Sequence, residues 1–343
     1  MIYTLTLNTA IDMNIQCRSF EPDCVIRTDT VEFSPNGKGI NVSLVLDKLN
    51  VKNQIVGVFG GFTGRYILDQ LANLNIPTKT YFVDHPTRVN VFINDYQNEY
   101  KLVNPGSYIN QKTLDGIYDF FRNLTNEDTL VVSGSLPPGV SIEFIERLVQ
   151  LSSEIGFNII LDISDKSLTS VLKHKPLLIK PNDEELESVF GLKARTTQEA
   201  IDSLKQLHDL GAQNVLLTLG SKGMYFSNGT DIYFATAAPI NLISSTCAGD
   251  ATLAAFLSHW LNAPDNIVDA LKLAGAVGAD VAASSALGEL ARINQLIHKI
   301  NVTCVTNTAA LFSLPKGRKK TTGSINQLDS VNGFEESHLN AVP

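Results

Sequence analysis

Residues 244–250, Ser-Ser-Thr-Cys-Ala-Gly-Asp, place small side chains and one acid directly before an apolar stretch that begins at Ala251. Ahead of a helical pattern, such residues leave backbone N–H groups unpaired, and the helix dipole adds partial positive charge there. This end of a helix can hold an anion, while Asp250 can take a proton from a nucleophile. The pairing indicates phosphoryl transfer to a hydroxyl. The alternative is that Asp250 only stabilises the helix dipole, as first-turn acids commonly do.

The composition is that of a large globular protein with an acidic surface. Its 343 residues are 44% hydrophobic, carry a net charge of −8 and have a pI near 5.3, which permits one large α/β domain or two domains. The negative charge argues against general nucleic-acid binding, so an anionic substrate must meet local positive charge. No apolar run reaches the ~18 residues of a membrane span and no basic leader is visible, so we expect a cytoplasmic protein. Four cysteines without C-x-x-C spacing predict neither a disulfide framework nor a zinc site.

Two segments near the N-terminus carry polar residues at positions suited to ligand contact. Asp12 follows a β-rich run at 3–7, and acids just past a strand contact ligands in open α/β sheets, although turn acids are also common there. Gly-Lys-Gly at 37–39 permits close backbone approach to a ligand and supplies one cation before a helical pattern. This is not a P-loop, because Glu32 and Gly39 stand where that motif needs glycine and Ser or Thr.

Strand and helix patterns alternate along most of the chain, which predicts a parallel doubly wound sheet. Extra β-patterned pieces near 14–33 and 88–104 suggest a small separate sheet laid over the main one, which can act as a lid. Arg88 begins the second piece, although a single arginine is more often a solvated surface cation. Hydrophobic periodicity disappears from about residue 315, so we interpret 313–343 as a tail without a fold of its own.

Two later turns are candidate contacts for a nucleotide and its metal. Asn182 and Glu185, three residues apart at a predicted helix start, can reach one spot, which suits a water-coordinated Mg²⁺. The same pair also fits a capping box, in which both side chains only satisfy the helix end. The glycine turn at 219–223 suits a nucleotide or an ordinary connection. The glycines at 57–64 do not spell G-x-G-x-x-G, so a dinucleotide site has little support.

Seven short motifs follow one another in a specific order along the chain. They occupy 8–12, 36–42, 87–91, 133–137, 180–182 with Glu185, 218–220 with Gly223, and 247–250. In this order the chain resembles the ribokinase-like (PfkB) sugar kinases, and within them the 1-phosphofructokinase and tagatose-6-phosphate kinase branch. The resemblance covers roughly residues 1–310. Each motif is weak alone, and their order makes the resemblance specific.

The resemblance implies a ribokinase-like three-layer α/β/α sandwich with a small β-sheet lid over residues 1–312, with ATP, Mg²⁺ and a phosphosugar as ligands. By position, the catalytic base and anion hole match Asp250, Gly249, Ala248 and Cys247. The sugar-phosphate side matches Asp12, Gly37, Lys38, Asn41, Arg88 and Asn90, with Arg27 a further candidate on the lid. The nucleotide side matches Lys180, Asn182, Thr218, Gly220 and Gly223, and the metal side matches Asn182 and Glu185, through water. Lids of this family often pair between subunits, which implies a homodimer.

Three positions depart from the family pattern. Cys247 replaces the first glycine of Gly-Ala-Gly-Asp, Asn36 replaces the first glycine of Gly-Gly-Lys-Gly, and no acid precedes Pro105-Gly106. The first can reduce the rate, and the other two can alter the sugar accepted. Because Cys247 directly precedes a predicted helix, we expect an extended, unstrained backbone there and a thiol with a lowered pKa.

The function that the resemblance implies is ATP-dependent phosphorylation of a ketohexose monophosphate, with fructose 1-phosphate converted to fructose 1,6-bisphosphate as the favoured reaction. Tagatose-6-phosphate kinase is one alternative. A catalytically weak relative that senses sugar phosphate or nucleotide is another, suggested by Cys247. The intact Asp250 favours an enzyme, because a protein that only binds its ligands has no use for a base beside an anion hole.

Overall fold

The computed structural model describes residues 1–306, so the predicted tail at 313–343 lies outside the described residues. The strands are β1 Ile2–Thr6, β2 Ala10–Cys17, β3 Thr28–Asn36, β4 Asn53–Gly60, β5 Thr78–Val83, β6 Arg88–Asn94, β7 Glu99–Leu102, β8 Thr129–Gly134, β9 Asn158–Ile163, β10 Leu178–Ile179, β11 Val215–Thr218, β12 Met224–Ser227, β13 Ile232–Ala235 and β14 Val302–Cys304. The helices are α1 Lys38–Lys48, α2 Gly61–Asn73, α3 Gln111–Phe121, α4 Ile142–Ile155, α5 Leu168–Val171, α6 Asp183–Phe190, α7 Thr197–Asp209, α8 Ala248–Trp260, α9 Ile267–Ala282 and α10 Ile293–Leu296.

Ten strands form one sheet in the order β14-β13-β12-β11-β10-β9-β8-β1-β4-β5. Pairing is parallel from β5 through β11 and antiparallel from β11 through β14. The predicted parallel sheet is confirmed for the first part, whose central strands β4, β8 and β9 are largely buried on both faces. Parallel strands bring their carboxyl ends to one edge, and ligands bind at that edge in open sheets. We refer to it as the catalytic edge.

Helices cover both faces of this sheet, which confirms the three-layer α/β/α prediction. On one face, α3, α4 and α7 contribute Phe121, Leu148 and Leu204 to a buried cluster. On the other face, α1, α8 and α9 bury residues such as Leu46 and Phe256. Helices α8 and α9 pack closely where Gly278 faces Thr252, because a Cβ on Gly278 would lie 2.2 Å from the Thr252 hydroxyl oxygen. None of the helices in residues 1–306 has the length and hydropathy needed to cross a bilayer.

The remaining four strands form a smaller sheet in the order β3-β2-β6-β7, which we call the lid. The predicted small second sheet is therefore confirmed, with one correction: β2 begins at Ala10, so Asp12 lies inside a strand of this sheet instead of in a turn after β1. In the register, Ala10 is opposite both Asn36 and Arg88, and Asp12 is opposite Asn90. Side chains that are opposite each other, or two residues apart, point to the same face of a sheet. One lid face therefore carries these polar residues together.

Candidate active site

The first turn of α8 presents an acid beside uncapped backbone N–H groups. Asp250 is 7% exposed, and its Oδ2 accepts a hydrogen bond from Asn41 Nδ2 at 2.8 Å. No side chain caps the start of α8, at Cys247 and Ala248. Donors at a helix N-terminus can hold a phosphoryl group while a nearby carboxylate takes a proton. The structure thus brings the predicted base and the predicted anion hole together.

The pKa of Asp250 is raised to about 6, mainly by burial and in addition by the negative charge of Asp162. Lys38, the Asn41 hydrogen bond and Lys180 oppose this increase. A carboxyl group in water is a weak base at neutral pH, whereas a pKa closer to 7 improves its capacity to accept a proton. The environment of Asp250 therefore favours a role as general base over one as a simple helix-dipole partner.

Cys247 differs from the sequence-based prediction in two respects. Its backbone is left-handed, with φ 64° and ψ −9°, where an extended conformation was expected. A non-glycine residue pays roughly 1–2 kcal/mol in that region. Burial raises the thiol pKa well above its usual range, and the charges of Asp250 and Asp12 add to this, so the expected lowered pKa is also wrong. Desolvation and nearby acids outweigh the helix dipole here. The thiol Sγ instead accepts from Asn41 Nδ2 at 3.3 Å.

A cluster of two acids and two lysines lies at the catalytic edge. Asp162, near the end of β9, contacts Lys38 Nζ and Lys180 Nζ through Oδ1, each at 3.2 Å. Lys38 Nζ is also 3.0 Å from Glu185 Oε1. Burial alone would raise the pKa of Asp162, but the two ammonium groups outweigh it and lower that pKa. The second oxygen, Oδ2, is buried without a hydrogen-bond partner among residues 1–306.

The two lysines of this cluster have different surroundings. Lys180 is 4% exposed, and its Nζ lies 3.7 Å from the position that a Cβ on Gly249 would occupy. It therefore brings a positive charge to the start of α8, and its assignment to the nucleotide side stays a prediction. Lys38 is predicted on the sugar-phosphate side, yet its Nζ contacts the carboxylates of Asp162 and Glu185. Burial lowers the pKa of Lys38, but the negative charges of these carboxylates outweigh burial and raise it.

Asn182 and Glu185 form the capping box that the sequence left open. Asn182 Oδ1 accepts from the Glu185 N–H at 2.7 Å, and Glu185 Oε2 accepts from the Asn182 N–H at 3.0 Å. Glu185 Oε1 still faces Lys38 and the Ser164 hydroxyl. Within the described part of the chain, no group of three or more His, Cys, Asp or Glu side chains is arranged to hold a metal. The assignment of this pair to Mg²⁺ stays a prediction.

On the lid side, amides fix the Asp12 carboxylate at both of its oxygens. Asp12 is 4% exposed, Oδ1 accepts from Asn90 Nδ2 at 2.9 Å, and Oδ2 accepts from Asn36 Nδ2. Burial raises the pKa of Asp12, against the lowering effect of these hydrogen bonds and of Arg88. Each oxygen keeps a lone pair for a further donor, such as a sugar hydroxyl. Asp12 and Asn90 thus come together as predicted.

Asn36 joins this pair to the catalytic base. Its Oδ1 accepts from the Gly37 N–H and, at 2.9 Å, from Asn41 Nδ2, which also donates to Asp250. The turn into α1 depends on glycine, because Gly37 has φ 138° and a Cβ there would lie 2.7 Å from the Thr6 methyl group. The predicted Asn41 therefore lies beside Asp250, the predicted Gly37 is bonded to Asn36, and a continuous hydrogen-bonded chain runs from the lid to Asp250.

The two predicted lid arginines differ in their surroundings. Arg88 is partly buried and donates to the carbonyl oxygens of Asn104, at 2.9 Å, and Asn8, at 3.3 Å. Its Nε is buried without a partner among the described residues. Burial lowers the Arg88 pKa, and Asp12 opposes this, so Arg88 is not the solvated surface cation of the alternative interpretation. Arg27 is exposed in the loop before β3 and forms no salt bridge within residues 1–306.

The predicted nucleotide turn follows β11. Thr218 ends that strand and forms a bridge with Asn182, which brings two predicted nucleotide-side residues together. Gly220 and Gly223 both have positive φ, and a Cβ on Gly223 would lie 2.2 Å from the Ala235 carbonyl oxygen. The turn itself thus requires glycine, so an ordinary connection explains these residues equally well. Nucleotide contact here stays a prediction.

The profile of the pfkB family carbohydrate kinases matches residues 5–292. This chain belongs to that family. D-tagatose-1-phosphate kinase of Klebsiella oxytoca is 47% identical to this PfkB kinase over 302 residues, which cover 88% of this chain and 99% of that protein. The 1-phosphofructokinase of Borreliella burgdorferi is 33% identical over 306 residues, covering 88% and 98% of the two chains. The resemblance inferred from the seven motifs is therefore confirmed.

A solved structure of phosphofructokinase-2 from Escherichia coli, in complex with substrates and products, matches the PfkB kinase with a TM-score of 0.80 at 24% identity. That match covers 87% of this chain and 98% of the other. A Staphylococcus aureus structure, named provisionally as a phosphofructokinase, has a TM-score of 0.77 at 30% identity and covers 89% and 99%. The first likeness bears on the fold alone, and both agree with the ribokinase-like sandwich and lid.

Sequence reasoning missed Asp162 in this PfkB kinase. The signal was present, because Asp162 ends an apolar strand pattern in the same way that led us to single out Asp12. No motif included it, and its importance comes from three partners at distant positions in the chain. Only the folded sheet brings Lys38, Lys180 and Asp250 around it.

Proposed function

We propose that this PfkB kinase transfers the γ-phosphoryl group of ATP to the C6 hydroxyl of a ketohexose 1-phosphate. The observation that carries the proposal is the buried Asp250, with a pKa of about 6, beside the uncapped start of α8. Relatives named D-tagatose-1-phosphate kinase and 1-phosphofructokinase support a ketohexose 1-phosphate as the acceptor. Neither is named for a 6-phosphate acceptor, which weighs against the tagatose-6-phosphate alternative.

In the proposed reaction, Asp250 accepts the proton of the C6 hydroxyl as that oxygen attacks the γ-phosphorus. The new O–P bond forms while the bond between the γ-phosphorus and the β,γ-bridging oxygen breaks, and ADP leaves. The N–H groups at the start of α8 and the buried Lys180 ammonium stabilise the negative charge on the transferred group. These residues are preorganised before the substrates arrive.

The acidic residues of the catalytic edge fit a hydrated Mg²⁺. Asp162 Oδ2 is buried without a partner among the described residues, and Glu185 contributes a second carboxylate nearby. Mg²⁺ prefers oxygen ligands and keeps several waters and phosphate oxygens, so it does not need a cage made only of protein side chains. When bound, the ion supplies charge neutralisation for the ATP phosphates. Asp162 and Glu185 would hold it, and Asn182 orients Glu185 through the capping box.

The acceptor would lie between the lid and α8. Arg88, with its unpartnered Nε, supplies positive charge for the 1-phosphate, and exposed Arg27 can add to it when the lid closes. Asp12 and Asn90 offer hydrogen-bonding groups to the sugar hydroxyls. ATP and sugar phosphates are cytoplasmic metabolites, which supports a cytoplasmic enzyme.

We also propose a homodimer formed through the lids. The lid face opposite Asp12 carries apolar side chains, and Val31 and Phe33 on β3 and Leu102 on β7 are 40%, 51% and 50% exposed. Exposed apolar side chains gathered on one sheet face are typical of a protein–protein contact. A second copy of the same lid offers an equally apolar face, and it would also cover the exposed edge of β3.

An assay of ADP release with four acceptors tests the proposed reaction. We expect D-fructose 1-phosphate, D-tagatose 1-phosphate or both to be turned over with kcat/KM at least 100-fold above that for the corresponding 6-phosphates. Phosphorus NMR of the product should place the new phosphate on C6. Preference for a 6-phosphate would contradict the acceptor assignment. Binding of sugar phosphate by calorimetry without any turnover would instead support the sensor alternative.

A further inference from the structure

We propose that Asn36 determines which C4 epimer of the acceptor this kinase prefers. The inference rests on the proposed function as a ketohexose 1-phosphate kinase and extends it to one residue. Fructose and tagatose differ only in the configuration of the hydroxyl at C4. A residue that fixes a hydrogen-bond donor beside an acceptor at C4 can engage the hydroxyl of one epimer at both atoms and that of the other at neither.

The lid register places Asn36 on the same face as the residues proposed to bind the sugar. Asn36 on β3 and Arg88 on β6 are both opposite Ala10 of the central strand, and Asp12 is opposite Asn90 two residues further along. Neighbouring strands are ~4.8 Å apart, so Asn36 and Arg88 are separated by roughly 10 Å across this face. Asn36 lies on the side of the lid face nearer to Asp250, because Asn41 is hydrogen-bonded to both Asn36 and Asp250.

This placement sets the direction of the sugar. With its 1-phosphate at Arg88 and its reacting C6 hydroxyl at Asp250, a ketohexose 1-phosphate crosses the polar face of the lid from β6 to β3. The C3 hydroxyl is then nearer to Arg88, and the C4 hydroxyl is nearer to Asn36. The geometry thus pairs Asn36 with the carbon at which the two epimers differ.

A count of hydrogen-bonding capacity gives Asn36 one donor to offer. Its Oδ1 already accepts from the Gly37 N–H and from Asn41 Nδ2, which uses both lone pairs. Its Nδ2 carries two hydrogens, of which one goes to Asp12 Oδ2. The remaining N–H lies beside the free lone pairs of Asp12. A hydroxyl between them can accept from Asn36 and donate to Asp12, whereas the epimeric hydroxyl points away and leaves both groups unpaired.

The test compares kcat/KM for D-fructose 1-phosphate and D-tagatose 1-phosphate in the full-length enzyme and two variants. Asn36→Ala removes the side chain beyond Cβ, and Asn36→Gly installs the residue that the family pattern has at this position; neither adds a charge beside Asp12. We expect the wild type to prefer one epimer by at least tenfold, and both variants to reduce that ratio to within threefold of unity. The KM for ATP should stay within twofold of the wild-type value. If Asn36→Ala does not fold, Asn36→Gly decides the question.

Asn14→Ala is the matched control, because Asn14 is an exposed asparagine on the neighbouring lid strand β2. It should keep the wild-type epimer ratio. A variant at Asn36 that slows both epimers equally would overturn the inference and assign Asn36 a purely structural role. Wild-type turnover without epimer preference would overturn this inference alone. No wild-type turnover of either epimer would reject the proposed function together with the inference.

Discussion

Asp250 combines a position in a helix first turn with a pKa of about 6 that burial produces. Because a general base must be deprotonated, we expect kcat/KM for the acceptor to rise with pH through about 6 and to level off above it. Asp250→Asn should lower kcat by roughly 10²–10⁴-fold, leave the KM for ATP unchanged, and flatten this rise. Steady-state kinetics between pH 5 and 9 measures both effects. A variant that keeps kcat within threefold would show that Asp250 is not the base.

The same pKa predicts a pH dependence of stability. The folded state binds the Asp250 proton more tightly than the unfolded state, whose carboxyl has its ordinary pKa near 3.8. As pH rises between about 4 and 6, this group therefore lowers the free energy of unfolding. Asp250→Asn should then be more stable than wild type at pH 8, by on the order of 1–3 kcal/mol, and close to it at pH 4. Urea unfolding at both pH values measures the difference, and a gain that is equal at the two would contradict the assignment.

The left-handed backbone of Cys247 could not be predicted from the neighbouring residues in the sequence. Its left-handed backbone costs roughly 1–2 kcal/mol, which glycine would avoid, although glycine also gives the unfolded chain more freedom. We expect Cys247→Gly to raise the free energy of unfolding by less than about 1.5 kcal/mol and to change kcat by less than about fivefold. We expect Cys247→Val to lower the free energy of unfolding by at least about 1 kcal/mol. Urea unfolding of both variants is the measurement. A glycine variant less stable than the valine variant would refute the strain argument.

At the scale of elements, the sequence predicted those features whose causes are local. The start of α1 follows from Gly37 and the apolar spacing behind it, and the start of α8 follows from the small residues before Ala251. Strand β14 was missed because three residues carry too little alternation to indicate a strand. The contacts of Cys247 with Asn41 and of Asp162 with Lys38 join residues 206 and 124 positions apart, so no local pattern contains them.

The start of α6 provides a test of whether Asn182 acts mainly on its helix. Loss of an N-cap side chain costs about 0.5–2 kcal/mol, whereas serine caps nearly as well as asparagine. We expect Asn182→Ala to lower the free energy of unfolding by this amount and Asn182→Ser to change it by less than about 0.5 kcal/mol. Chemical denaturation followed by circular dichroism measures both. If the two variants lose equal stability, the capping box between Asn182 and Glu185 is not the source of the stability that Asn182 provides.

At the scale of the whole molecule, the apolar face of the lid predicts the oligomeric state. Placing a carboxylate in a buried apolar contact is costly, so Val31→Asp should convert the proposed dimer to a monomer. Val268→Asp is the matched control, because Val268 on α9 is 39% exposed and Val31 is 40% exposed. Light scattering coupled to size-exclusion chromatography measures the mass of each. A wild-type monomer, or dissociation by both variants, would contradict pairing through the lids.

The cluster at the catalytic edge contains two carboxylates, Asp162 and Glu185, and two ammonium groups, Lys38 and Lys180, so its formal charges cancel. A nucleotide approaching this protein therefore meets no strong attractive field from a distance, and the chain's net charge of −8 repels it. Electrostatic steering, which accelerates association by roughly 10–10³-fold in other proteins, gains nothing from a cluster without net charge. The association rate of ATP should accordingly increase slightly, and not fall, as added salt screens the long-range repulsion.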